Sequence, residues 1–155
     1  MLYFLFMMIA SIENYEKLNV HEQYLYTTIT PVMCIKLQHE CGVPASIQLA
    51  QAICESGGGI SEVAKQSNNH FGIRAFSNWK GKIYTTKYGT DYRAYSTLEE
   101  GYIDHAEFLY QHYNSAVGKD WKYWVTNCKG YGGSPGYWQH IRKIIELYQL
   151  YKFDI

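Results

Sequence analysis

The chain has little to offer a polyanion, a metal ion or a membrane. Its 14 Lys and Arg are balanced by 14 Asp and Glu, so the formal net charge is zero. Proteins that bind long nucleic acids usually carry a basic excess, and nucleic acid is not an expected partner. The four cysteines, Cys34, Cys41, Cys54 and Cys128, form no CxxC pair and no Cys/His cluster with zinc spacing. Cys34 and Cys41 are seven residues apart. On one helix that is about 10 Å of rise, too far for a disulfide. The simplest reading is four buried thiols, with a Cys54–Cys128 bridge left open. None of the six histidines makes an HExxH pair. His105 and His112 lie too far apart on one helix to share an ion. No metal and no cofactor is expected. A P-loop and a nucleophile elbow are also missing, which removes the common phosphate-transfer and serine-hydrolase patterns.

Long hydrophobic runs are missing as well. The opening "MLYFLFMMIA" has about ten apolar residues, too few to cross a bilayer, so no stable membrane span is expected. It resembles a signal-peptide core but no Lys or Arg precedes it. It reads equally as a packed N-terminal element. No low-complexity linker and no repeat divides the chain. The expected organisation is an N-terminal segment over residues 1–30 and one domain over 31–155, long enough to bury a core.

Aromatic residues are abundant, at 17% of the chain with 16 Tyr. Tyrosine has an apolar face and a polar tip. That suits sugar rings, and it suits the core of a small domain equally well. Helical patterns dominate. "TPVMCIKLQHECG" has Thr30 as N-cap, Pro31 at the first helical position and Gly42 past the end. "VPASIQLAQAICES" is apolar nearly all round, as buried helices are. "SEVAKQS" is a short helix with Ser61 as a possible cap. "WKGKIYTTKYGTDYRAY" alternates around glycine breaks and reads as a β-hairpin. "STLEEGYIDHAEFLYQHY" starts with a capping box, from Ser96 to Glu99 or Thr97 to Glu100, and carries Tyr102, Ile103, Ala106, Leu109 and Tyr113 on its apolar side. "DWKYWVTNC" is another short helix and "KGYGGSPG" a loop. "YWQHIRKIIELYQLY" closes the chain, with Ile141, Ile144, Ile145 and Tyr148 at helical spacing. The fold class is mainly α, with a small β excursion.

The chemistry concentrates at "AICESGGG". Glu55 is the one acid of an oily helix and sits near its C-terminal end. Read locally, it is a surface acid before a glycine cap. Read chemically, burial and the negative end of the helix both disfavour a carboxylate there and raise its pKa. An acid kept protonated near neutral pH can donate a proton to a leaving group. The glycines that follow remove side chains and leave room for a bulky ligand.

"PASIQLAQAICESGGG" followed by "NNHFGI" resembles the N-acetylglucosaminidase family of bacterial autolysins and flagellar muramidase-like enzymes. There the helix reads roughly L-A-Q-A-x-x-E-S-G-W-G and an N-x-F-G-I segment follows. "NWKGK", "DYRAYSTLEEGYIDHAEFL" and "GYGGSPGYWQHIRKIIELY" continue in the family's order, so the resemblance covers about residues 44 to 150. It implies a lysozyme-like α-lobe, a small β-hairpin lobe and a cleft between them. It implies cleavage of the β-1,4 bond after N-acetylglucosamine in peptidoglycan glycan strands. Glu55 falls on the family's general acid and Tyr131 on a tyrosine near the catalytic centre.

The chain departs from the family pattern at three places. Gly58 stands where the family has Trp, Ser134 where it has Asp, and Lys87 where many relatives have a hairpin Glu. Asp91 is the nearest hairpin acid and the candidate second carboxylate, although Asp in "GTD" also suits a turn. The expected catalytic set is thus Glu55, Tyr131 and Asp91. The expected substrate-binding set is Asn69, Phe71, Trp79 and Tyr137, of which Phe71 is most simply core and Asn69 a holder of the cleft wall. A lytic transglycosylase and a catalytically weak glycan-binding or structural protein remain the alternatives. Action at the wall or in the periplasm is expected, from a host autolysin, a phage lysin or a toxin. Oligomeric state is not readable from these patterns.

Overall fold

A computed structural model describes residues 17–27 and 30–155. The signal-like expectation for residues 1–12 lies outside the described residues. The described chain forms helices α1 (Val20–Thr27), α2 (Thr30–Cys41), α3 (Ala45–Ser56) and α4 (Glu62–Ser67), then strands β1 (Lys82–Thr85) and β2 (Asp91–Ala94). Helices α5 (Leu98–His112), α6 (Trp121–Asn127) and α7 (Tyr137–Leu147) follow, with 3-10 turns at Asn114–Ala116 and Leu150–Phe153. This is the expected mainly α fold with one β-hairpin. None of the described helices is long and apolar enough to cross a membrane.

The α3 helix is the axis of the fold. Ile47, Leu49, Ala50 and Ala52 are fully buried, and so are Ser46, Gln48 and Gln51. It packs on α2, on α7 and on the 3-10 turn at 150–153. Each buried Ile or Leu contributes about 1.5–3 kcal/mol of transfer free energy. Burial leaves the helix's first N–H groups without water, and Pro44 at the N-cap has no side chain to accept from them. Distant residues do so instead. Gln38 Oε1 accepts from Ala45 N at 2.7 Å, and Asp154 accepts from Ser46 N at 2.8 Å and from Ser46 Oγ at 2.7 Å. The C-terminal tail is thereby clamped onto the start of the central helix.

The capping patterns explain most other boundaries. Asn19 Oδ1 accepts from His21 N and Glu22 N, while Glu22 reaches back to Asn19 N, a reciprocal box that starts α1. Ser61 caps α4, Thr97 caps α5 and Asp120 caps α6. At α5, Thr97 accepts from Glu100 N as expected, but the Glu100 carboxylate accepts from Ser96 N and not from Thr97 N, so neither expected box closes reciprocally. The α2 helix includes Thr30, one residue earlier than the expected start at Pro31. On α5, Tyr102, Ala106 and Leu109 are buried as expected. Ile103 is 37% exposed, which corrects its place on the apolar side; the buried stripe takes in His105 instead. All four cysteines are free. Cys34 and Cys128 are buried, while Cys41 and Cys54 are only partly so.

The hairpin pairs antiparallel with register Lys82↔Ala94, Ile83↔Arg93, Tyr84↔Tyr92 and Thr85↔Asp91. Two strands alone are marginal in water. Backbone bonds from Ala75 N to Asp91 O, Arg93 N to Ile73 O and Tyr95 N to Ser67 O tie it to the segment after α4. Arg93 grips Asp104 of α5 with both contacts at 2.8 Å, and Tyr95 Oη donates to the same carboxylate.

Candidate active site

Glu55 occupies the last turn of α3, and Tyr137 the first turn of α7. The packing of these two helices sets the phenol beside the carboxyl, close enough to lower its pKa. Gln51 lies one turn before Glu55 and so projects from the same face of α3. Its Nε2 donates to Tyr137 Oη at 3.2 Å. That direction matters. An oxygen that accepts from Gln51 has its own proton free to donate to Glu55. Two opposed effects then act on the acid. Burial raises its pKa above the ordinary carboxylate value, and the Tyr137 hydrogen bond pulls it back by stabilising the anion.

The loop before α7 makes room for Tyr137. Gly132 has φ +71°, and a Cβ there would lie 2.3 Å from Tyr137 Cδ2. Any side chain at 132 would be both strained and in collision with the ring. Tyr131 packs at 5.0 Å between ring centroids from Tyr137, against Trp138, and edge-on to His105. Burial and the neighbouring Glu55 push its phenol well above the ordinary tyrosine value. It therefore stays protonated at neutral pH. Cys54 is likewise pushed up to about 11 by burial and by Glu55, so its thiol is not a nucleophile at neutral pH.

The remaining expected site residues take other places. Phe71 is 3% exposed and stacks on His105 at 3.6 Å. It is core and backs the site from inside. Asn69 is 1% exposed, and its amide is engaged entirely with backbone. Nδ2 donates to Ile73 O and Arg93 O, and Oδ1 accepts from Ile73 N. Asn69 holds the 69–73 loop to β2. Trp79 lies in the β-lobe, its indole N–H bonded to Lys82 O and its ring covered by the Arg93 guanidinium at 4.4 Å. Asp91 is exposed on β2 and accepts from Thr85 Oγ1 at 2.6 Å.

Gly58, the position of the missing family Trp, has φ +73° and is covered by α1. A Cβ there would come within 2.9 Å of His21 Cδ2 and 3.2 Å of Val20 O. Beside it, Tyr24 Oη bonds His70 Nδ1 and Tyr102 Oη, pinning α1 over the glycine turn. Burial lowers His70 to about 4 and His105 to about 3, so both rings are neutral at ordinary pH. Among the described residues no group of three His, Cys, Asp or Glu could hold a metal ion.

Two features lay beyond the sequence reading. Tyr137, expected in the substrate-binding set, also lies beside the acid. Gln51 is the other, and its place four residues before Glu55, on the same face of the helix, is the sequence signal for it.

Comparisons with known proteins bear on this arrangement. A glucosaminidase family model, described as mannosyl-glycoprotein endo-beta-N-acetylglucosaminidase, matches residues 32–150. The exo-glucosaminidase LytG of Bacillus subtilis is 33% identical over 132 residues, covering 70% of this chain and 45% of LytG. The peptidoglycan hydrolase FlgJ of Pseudomonas aeruginosa is 30% identical over 141 residues, covering 77% of this chain and 35% of FlgJ. The chain thus spans less than half the length of the curated relatives it matches. In fold, the catalytic domain of the autolysin Auto from Listeria monocytogenes superposes with a TM-score of 0.72 at 22% identity, over 88% of this chain and 89% of that domain.

Proposed function

The chain belongs to the glucosaminidase family, and from that premise we propose that it hydrolyses the β-1,4 bond after N-acetylglucosamine in peptidoglycan, with Glu55 as general acid. The observation that carries this reading is the partly buried Glu55 at the junction of α3 and α7, beside a Tyr137 that Gln51 holds at 3.2 Å. Burial raises the Glu55 pKa, which favours the protonated form that a general acid needs. The proton passes to the glycosidic oxygen as the bond to the anomeric carbon breaks. The Tyr137 hydroxyl then donates to the carboxylate that remains. Such a bond is stronger to the ionised acid than to the neutral one, so it favours the transfer. Tyr131, held protonated beside the pair, is placed to orient the attacking water or the acetamido group of the sugar.

The second participant has two readings. Asp91 is the candidate second carboxylate, the nearest acid of the hairpin. The other needs no second protein carboxylate, and Lys87 stands at the hairpin position where many relatives carry Glu. In that case the substrate's own acetamido oxygen is the nucleophile, as in substrate-assisted glycosidases. Asp91→Asn decides between them, because activity survives it only in the second. We further propose that the protein acts at the cell wall. Its source, as a host autolysin or a phage lysin, does not alter the chemistry.

The test is a digest of purified peptidoglycan with the wild type and Glu55→Gln, read by mass spectrometry after borohydride reduction. N-acetylglucosaminitol ends from the wild type and none from the variant are the expected result. Anhydromuramic ends would identify a lytic transglycosylase. A folded protein that binds the wall and releases nothing would be a binding module.

A further inference from the structure

The zero net charge hides an uneven distribution. Residues 74–93 carry five of the chain's Lys and Arg (Arg74, Lys80, Lys82, Lys87 and Arg93) and a single acid, Asp91. Arg93 is spent on Asp104. The nearby acids are also occupied: Asp91 accepts from Thr85 and Glu62 of α4 accepts from Tyr84. Arg74, Lys80, Lys82 and Lys87 are exposed, and among the described residues none of the four makes an ion pair. Exposed apolar side chains lie between them. Tyr88 is 83% exposed, Phe76 68% and Ile83 52%. Lys87 Nζ sits 5.0 Å over the Tyr88 ring. Arg74 likewise lies 5.4 Å over the Tyr92 ring, so the β-lobe is a cationic and aromatic surface on an otherwise acidic molecule, and among the described residues no carboxylate pairs with Arg74, Lys80, Lys82 or Lys87.

We infer that the exposed surface of the β-lobe docks the carboxylates of the peptide stems on peptidoglycan strands, so that the protein recognises the peptide-bearing polymer and not the sugar chain alone. The inference deepens the proposed substrate and rests on that reading. Three of these four cations, none in an ion pair among the described residues, are lysines. Lysine is a flexible point charge, while the planar arginine fork is the better match to phosphate. Carboxylates scattered along a flexible peptide suit such point charges. The interleaved aromatic and aliphatic side chains suit an amphipathic polymer of sugars and short peptides.

Sedimentation with insoluble peptidoglycan, stripped of phosphate-bearing wall polymers, tests it. Both proteins carry Glu55→Gln, so the polymer stays uncut, and one also carries Lys80→Gln, Lys82→Gln and Lys87→Gln. Each exposed pair is worth roughly a factor of two at low salt, so the triple variant binds about tenfold more weakly. The two proteins converge at high salt, where such pairs are screened. On chitin, an uncharged β-1,4 polymer of N-acetylglucosamine, they bind alike. A control with Lys119→Gln, Lys143→Gln and Lys152→Gln, exposed lysines far along the chain, leaves wall binding unchanged. Equal binding of both proteins to stripped peptidoglycan overturns the inference. So does an equal loss on chitin, or an equal loss from the control triple. A difference that appears only on walls retaining their phosphate polymers assigns the surface to phosphate and overturns it too. These outcomes do not depend on catalysis. Failure of the hydrolase reading shows instead in the wild-type digest.

Discussion

Asn69→Ala separates a wall-building role from a substrate contact. The side chain is 1% exposed and makes three hydrogen bonds at 2.8–3.0 Å, all to backbone of the 69–73 loop and β2. Ile73 O keeps a second donor in Arg93 N, but Ile73 N loses its acceptor. With each bond worth about 1 kcal/mol net, and more where a buried donor is stranded, the loss is about 2–4 kcal/mol. For a chain of this size each kcal/mol moves the Tm by roughly 2–4 °C, so circular dichroism should show a fall of about 5–15 °C. Asn69→Asp sharpens the test. It keeps the acceptor for Ile73 N but sets an anion against two carbonyl oxygens. Its pKa should rise, and its deficit should shrink as pH falls through that raised value, because the protonated acid can donate. Kinetics should show a lower kcat with little change in KM once both proteins are held well below their Tm. An Asn69→Ala protein with the wild-type Tm and a raised KM would refute the reasoning and place Asn69 on the substrate.

Tyr137→Phe removes the donor that holds the Glu55 pKa down, leaving burial unopposed. The alkaline limb of the activity profile should move to higher pH, and kcat should fall about ten- to hundredfold, the value of a hydrogen bond to a charged group. A limb that stays in place would exclude contact with the acid. Because the folded pKa of Glu55 is raised, its contribution to stability is complete below the unfolded value and is lost as pH rises through the folded one. Denaturant titrations across that range should therefore show Glu55→Gln gaining on the wild type as pH rises. Asp154→Ala strands the Ser46 N–H at the start of the buried α3 and should cost about 1–3 kcal/mol. Asp154→Asn, which retains an acceptor, should cost less. Equal losses from the two would remove the cap from the account.

Much was legible because it is local. Ser61, Thr97 and Asp120 each satisfy N–H groups three residues on, and the apolar run of 45–53 can only be a buried helix. Glu55 stood out by the same logic, as the lone acid at the end of that run. Ile103 was misplaced because helical spacing gives the stripe's direction but not its width, and the stripe's edge here goes to His105. The partners of Glu55 could not be read from spacing, since Tyr137 is 82 residues away and meets it only where α7 crosses α3. The same holds for Asp154, which caps a helix 108 residues earlier. Local chemistry, carried in the residue order itself, determined the helices, the hairpin and the position of the acid. Which side chains face that acid, which wall is held by Asn69, and where α1 lies over Gly58 were decided by packing, because burial and hydrogen bonding between distant segments depend on three-dimensional proximity.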